Sequence, residues 1–461
     1  MTADELRENL LMAPKNGYAR ITPEEREKMN AYCRRYMAFM DACKTEREAT
    51  AWAVREAQNR GYKPFAPGMD VKPGDKIYYN NRDKSIALAV IGTESLAKGA
   101  NICAAHVDSP RLDIKPNPLY EESQIAYFKT HYYGGIKKYQ WPTVPLALHG
   151  VVYRKDGTLV TVTIGEDDSD PVLMVSDLLI HLAGDQMQKP LAKGIEGEQL
   201  NVILGTEPLE GEGADLVKLN VMKWLNEKYG LIEEDFLSAE LTVVPAGKCR
   251  EVGFDRSLLA AYGHDDRVCA FAELDSLFAI ETCAKTAVCI LADREEVGSM
   301  GISGMQSHYF EHFMGTLCDA QGVKLADCFA NSFCLSADVT NAFDPNFADT
   351  CDKRNNAQLN YGVALSKYTG SRGKNGASDA AAEAVGHART ALDNAGVIWQ
   401  IGILGKVDQG GGGTVAAYMA NRNIVTVDAG VPVISMHAPM ELVSKLDCYE
   451  TMLACKAIYL A

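Results

Sequence analysis

Two adjacent carboxylates, Glu295 and Glu296, follow the apolar run from Ala287 to Leu291 and sit in the stretch Asp293-Arg294-Glu295-Glu296-Val297-Gly298-Ser299. Neighbouring residues of a turn point in different directions, so one glutamate can hold a metal while the other faces the metal's water as a base. The bland alternative is a solvated acidic turn, a common surface feature. The placement of the other ligand-type residues weighs against it. His106 and Asp108 follow the apolar run 100–105, Asp338 follows 333–337, and His437 follows 431–436. A fifth contribution, Gly263-His264-Asp265-Asp266-Arg267, precedes a helix expected over 268–280. Open α/β sheets gather their ligands outside the carboxyl ends of the strands. Four such ends and one helix start would therefore deliver imidazoles and carboxylates to one crevice. That donor set suits zinc, manganese or cobalt, and a carboxylate shared by two ions makes a two-metal hydrolytic site. Taken singly, an aspartate is usually a cap and a histidine a hydrogen-bonded core residue, so the agreement of five segments carries the argument.

The elements that must position these residues are legible in outline. Thr22-Pro23-Glu24-Glu25 and Thr45-Glu46-Arg47-Glu48 are capping boxes that open two helices, the second expected to stop at Gly61. Runs 85–91 and 100–105 read as short buried strands. Between about 112 and 253 the texture changes: 146–154 and 158–164 flank the hairpin signal Lys155-Asp156-Gly157, 240–244 is another strand, and 175–187 and 214–229 read as helices. From 268 onward a helix is followed by apolar runs at 287–291, 333–337, 397–404, 424–427 and 431–436, the rhythm of a sheet covered on both faces. The expectation is an α/β fold with an inserted, β-rich second domain: a catalytic domain from 1–112 and 253–461, interrupted by 113–252.

At 461 residues the chain is long enough for two domains, and its 47% hydrophobic and 23% charged content is that of a globular protein. A formal charge of -15 disfavours nucleic acid and anionic membranes as partners. Thirteen cysteines, odd in number and without a Cys-x-x-Cys pair, read as reduced core thiols of a cytoplasmic protein. The N-terminus Met1-Thr2-Ala3-Asp4-Glu5 shows no export signal, and no apolar run approaches a membrane span.

Ala105-His106-Val107-Asp108-Ser109-Pro110-Arg111-Leu112, Asp265-Asp266-Arg267, Asp293-Arg294-Glu295-Glu296-Val297-Gly298-Ser299, Ser336-Ala337-Asp338 and Ser435-Met436-His437 resemble, in that order, the signature of the aspartyl aminopeptidase and vacuolar aminopeptidase family of zinc exopeptidases. The likeness runs over nearly the whole chain. It implies a zinc-exopeptidase-like mixed sheet flanked by helices, and a metalloaminopeptidase that removes N-terminal residues from peptides with two zinc ions per subunit, cobalt or manganese being accepted by the same ligands. By that resemblance Asp265 bridges the ions, His106 and Asp338 complete one shell, and Glu296 and His437 complete the other. Glu295 becomes the general base and Asp108 the residue that orients His106. The inserted segment becomes a dimerisation domain within a homo-oligomer, a dodecamer built from dimers. His181, in Ile180-His181-Leu182, becomes the candidate that reaches a neighbouring subunit's active site. The sequence departs from the family where Asp344-Pro345-Asn346 replaces the frequent His-Pro-Asn and where Gly373 to Ser378 is glycine-rich. Both departures lie where an acidic (Asp/Glu) or a broad, neutral (Leu-type) preference would be set. Lys374 or Arg372 would pair with an acidic side chain there, or else carry a solvated loop charge.

Three rival signals are weaker. His308-Tyr309-Phe310-Glu311-His312 is a literal H-x-x-E-H zinc motif, but it leaves the strand-end residues unexplained. The glycines Gly410 to Gly413 lack the lysine of a phosphate cradle, so a tight turn or close approach to a peptide backbone is the better reading. Ser435 and the cysteines have no nucleophile elbow around them. A non-catalytic assembly protein on the same scaffold is the alternative from another class, and the complete ligand set argues against it.

Overall fold

The computed structural model describes all 461 residues. Its centre is a nine-stranded sheet in which Thr286–Ala292, Ala100–His106, Phe333–Ser336 and Val425–Gly430 lie side by side and parallel. Every residue of Thr286–Ala292 is buried, as expected of a parallel strand covered on both faces. The alternation is visible in the packing: Ala287, Cys289 and Leu291 join one apolar cluster, and Val288, Ile290 and Ala292 the other. The first cluster is closed by the helices Pro23–Ala42, Glu46–Asn59, His264–Phe278, Ala382–Asn394 and Lys445–Tyr459, the second by Tyr309–Ala320, Leu325–Ala330 and Ala416–Asn421. Both capping boxes form, each threonine accepting from the backbone N–H three residues on, and the second helix ends before Gly61, whose φ of 81° suits glycine.

The inserted segment folds as a separate antiparallel sheet of seven strands with its own core, including the fully buried Trp141. Leu146–Tyr153 and Leu159–Ile164 pair as the Asp-Gly signal predicts, with Tyr153 opposite Leu159. The long hairpin Arg111–Glu122 and Ile125–Tyr133 begins this sheet and Pro245 ends its last strand. Residues 214–229 give the helix Leu216–Tyr229. The expected helix over 175–187 does not form. Its apolar residues Leu178, Leu179, Ile180 and Leu182 are exposed and cover no face of the chain, leaving a short turn at Ile180–Leu182 and five helical residues, Gly184–Gln188.

A third, five-stranded sheet was not anticipated. It joins Arg250–Val252, Leu258–Ala261, Glu441–Ser444, Pro432–Ile434 and Thr340–Asn341. His437 therefore leaves a strand of this small sheet, not of the central one as the run 431–436 suggested.

Candidate metal centre

His106 ends its strand at the carboxyl edge of the central sheet, and Glu295 and Glu296 leave the adjacent parallel strand, where Ala292 lies opposite His106. Asp338 follows Phe333–Ser336 on the other side of the His106 strand. Asp265 sits in the lead-in to the helix His264–Phe278, where it and Asp266 depart from helical dihedrals before the regular turns begin. The small sheet brings His437 across the top.

These five segments converge. His106 Nε2 lies 3.2 Å from one Asp265 oxygen and His437 Nε2 3.1 Å from the other. Asp338 is 3.9 Å from His106 Nε2, and Glu296 is 3.4 Å from His437 Nε2. The result is two groups of ligand atoms, His106/Asp265/Asp338 and Asp265/Glu296/His437, each within 4.8 Å and sharing Asp265. Glu295 stands beside them, 3.8 Å from His106 Nε2. They line a cavity of about 510 Å³ whose other walls include Thr340, Ser366, Thr369, Leu404, Gly411 to Gly413 and Thr414.

The electrostatics are those of a site built for cations. Burial, then the Asp265 charge, pushes the Glu296 carboxyl well above its usual range; burial, then Asp266, does the same to Asp338. Burial also raises Glu295, to about 7. His437 is opposed by burial, but its hydrogen bond to Asp265 and the Glu296 charge outweigh this and push it up to about 11. Glu296 Oε1 is buried without a hydrogen-bond partner. Crowded carboxylates, two imidazoles with their Nε2 atoms turned inward and an orphaned oxygen match the hard-and-borderline donor set of zinc.

Around this core, Asp108 is wholly buried and accepts from the backbone N–H of Glu295 (3.0 Å) and of Glu296 (3.2 Å). His106 Nδ1 is 2.9 Å from the Asp108 carbonyl oxygen and 3.4 Å from its carboxylate, so the nearer partner of the ring is main chain. Sequence reasoning missed Glu441, which accepts from the N–H of Asp265 and of His437 and so ties two of the segments. It also missed Tyr133 and Gly135, which touch Asp108 and His437. Tyr133 and Gly135 carry no local signal, because each acts through a contact distant in sequence, and Glu441, four residues after His437, belongs to no recognisable motif. His181 lies outside the cavity, exposed on its turn in the inserted domain. Lys374 is paired with Asp379 at 3.0 Å and does not line the cavity; nor does Arg372. The Gly-rich loop packs as a tight turn, with Gly410 and Gly411 against the backbone of Leu404 and Gly370, where any Cβ would clash. His308 is exposed at the start of its helix, and Glu311 pairs with Arg422, so the H-x-x-E-H residues are joined to no other ligand.

A shared carboxylate between two histidine–carboxylate pairs at the edge of a sheet is the arrangement of a metallohydrolase. Residues 39–459 match the family described as aminopeptidase I zinc metalloprotease (M18). The chain is 49% identical over 452 residues to a protein of Clostridium acetobutylicum named "Probable M18 family aminopeptidase 1", covering 96% of this chain and 97% of that one. A Thermotoga maritima protein of the same name is 44% identical over 439 residues, 94% of this chain and 96% of its own. The crystal structure of the M18-family aminopeptidase from Thermotoga maritima superposes with a TM-score of 0.93 at 43% identity, over 97% of this chain and 99% of that one. The chain belongs to the M18 family of zinc metalloproteases, and it is an aminopeptidase.

Proposed function

We propose that this aminopeptidase works through two zinc ions per subunit, held by His106, Asp265, Glu296, Asp338 and His437, with Asp265 shared between them and Glu295 as general base. The observation that carries this reading is the position of Asp265, one oxygen toward each imidazole, with a second carboxylate beside each. The ions, when bound, would supply Lewis acidity to the scissile carbonyl and a lowered pKa to their water. Glu295, raised toward neutrality by burial, takes a proton from water at its carboxylate and returns it to the departing amine nitrogen. Asp108 fixes the backbone of the Glu295-Glu296 turn, so base and ligand are held in one register. The carboxylate-rich cavity favours the cationic N-terminus of a peptide.

No lysine or arginine lines the cavity, and Lys374 is engaged by Asp379. The neutral, Leu-type preference is therefore the better supported of the two, ahead of an acidic one. The inserted domain is the assembly surface in this reading. Its exposed Leu178, Leu179, Ile180, Leu182, Met187 and Leu191 flank His181 in one stretch, and large exposed apolar patches mark interaction sites. Yeast mApe1, of similar fold at 19% identity, is described as a dodecamer. We extend to this chain a homo-oligomer built from dimers, a dodecamer, in which His181 is offered to a neighbour's cavity. Thirteen unpaired, buried thiols support work in the reducing cytoplasm; no helix is long and apolar enough to cross a membrane.

The test is zinc content per chain in wild type and Asp265→Ala, with hydrolysis of N-terminal Leu, Met, Asp and Glu substrates. Two zinc ions in wild type, both weakened in the variant with activity lost in parallel, and Leu cleaved ahead of Asp, are expected. One ion or none in zinc-replete wild type, or a variant indistinguishable from it, refutes the site.

A further inference from the structure

We infer that the inserted sheet is a working part of the metal centre, with Tyr133 and Gly135 as positioning residues for Asp108 and His437. The strand Ile125–Tyr133 points its last residue out of the inserted domain toward the catalytic one. The Tyr133 hydroxyl, on a buried ring beneath the Arg111 guanidinium, donates to Asp108 Oδ2 at 2.7 Å. That carboxylate is the one that holds the N–H groups of Glu295 and Glu296. One buried aspartate thus joins the inserted sheet, the His106 strand and the two-glutamate turn.

Two residues on, the Gly135 carbonyl accepts from His437 Nδ1 at 2.7 Å. A proton held on Nδ1 makes Nε2 the nitrogen that can give up its proton to a cation, and Nε2 is the atom that faces Asp265 and Glu296. The approach is close enough to require glycine at position 134. At Gly134, with φ of 73°, a Cβ would lie 3.3 Å from Glu296 Cβ and from its Oε2; at Gly135 it would lie 3.4 Å from His437 Nδ1. The other sides of His437 and Glu296 belong to the catalytic domain, so the insertion supplies one wall and one tautomer-fixing acceptor of the site.

This rests on the proposal that His437 and Glu296 are metal ligands, and the experiment separates the two. Zinc affinity by chelator competition, with kcat and KM, is measured for wild type, Tyr133→Phe, Gly134→Ala, which forces the turn carrying the Gly135 carbonyl away from Glu296, and Tyr132→Phe; Tyr132 is exposed and serves as control. Outer-shell partners of metal ligands are worth about 10–100-fold in affinity or activity. Tyr133→Phe and Gly134→Ala should each weaken zinc about tenfold and lower kcat with KM little changed, and Tyr132→Phe should match wild type. The thermal midpoint of the zinc-free proteins is taken in parallel, and if one variant misfolds, the other decides. Wild type that holds zinc beside folded variants of unaltered affinity overturns this inference alone. Wild type that holds none overturns the parent reading as well.

Discussion

Replacing Glu295 by Gln removes a proton acceptor and almost nothing else. The amide is nearly isosteric, the backbone N–H still donates to Asp108 at 3.0 Å, and the residue is not one of the five that surround the two candidate metal positions. General base catalysis contributes about 10²–10⁴-fold, which is about 2.7–5.5 kcal/mol of barrier. Glu295→Gln should therefore lose that factor in kcat, keep KM within a few-fold and keep its zinc. A general base acts in its ionised form. Burial raises the carboxyl to about 7 in the metal-free chain, and bound cations move it down, because a nearby positive charge favours the carboxylate. The acid limb of kcat/KM should lie at or below pH 7, falling tenfold per unit, and should vanish in the variant. The assay is steady-state hydrolysis of a leucine anilide from pH 5 to 9 at saturating zinc, with elemental analysis of the same samples. A variant that retains more than a tenth of wild-type kcat, or that loses zinc as well as activity, refutes the assignment of Glu295 as base and makes it a ligand or a bystander.

The junction of the two domains offers a separate test. His149 of the inserted sheet bridges Glu48 at 2.8 Å and Glu166 at 3.1 Å; burial opposes its charge, but the hydrogen bonds to both glutamates raise its pKa above 6.5. Its contribution is therefore full below that value and lost as pH rises through the folded pKa. Glu48, opposed by burial but held below 4.5 by His149, contributes above 4.5 and is lost as pH falls through its folded value. His149→Gln should cost about 3 kcal/mol, the lower end for breaking a buried pair, because Lys44 stays beside Glu166; denaturant titration should show the difference largest near pH 6 and shrinking toward pH 9, and a pH-independent gap would refute the ion bridge. His308→Ala, at an exposed position with no further ligand, should leave zinc content and kcat at wild-type values, and loss of a metal would revive the H-x-x-E-H reading.

The parts of this fold that could be read from the sequence are those set by local physics. Thr22 and Thr45 announce their helices because a capping box needs only four residues, and Ser85 to Val90 announces a strand because it is buried throughout. Five of the site's residues stand out because strand ends are where a sheet exposes functional groups. The hairpin Arg111–Glu122/Ile125–Tyr133 was hidden. Pro116 and Pro118 break its strand pattern at an irregularity between Ile114 and Leu119, and its turn uses Ser123 and Gln124, both at positive φ, where Asn-Gly would have been recognisable. The stretch 175–187 misled for the opposite reason: its apolar content is genuine, but nothing within the chain receives it. His437 follows a strand of the small sheet where its apolar run suggests the central one, since a three-residue strand carries no mark of which sheet it joins.

The candidate ligands are drawn from segments that run from His106 to His437 and lie far apart in sequence. During synthesis, which runs from the N-terminus, a centre with these ligands would stay incomplete until His437 had been made and the small sheet had closed. A chain stopped before His437 would carry all nine strands of the central sheet and lack one imidazole of the candidate set. Zinc held by the proposed ligands would act as a clasp across segments distant in sequence, so the event that armed the enzyme would also mark its fold as finished.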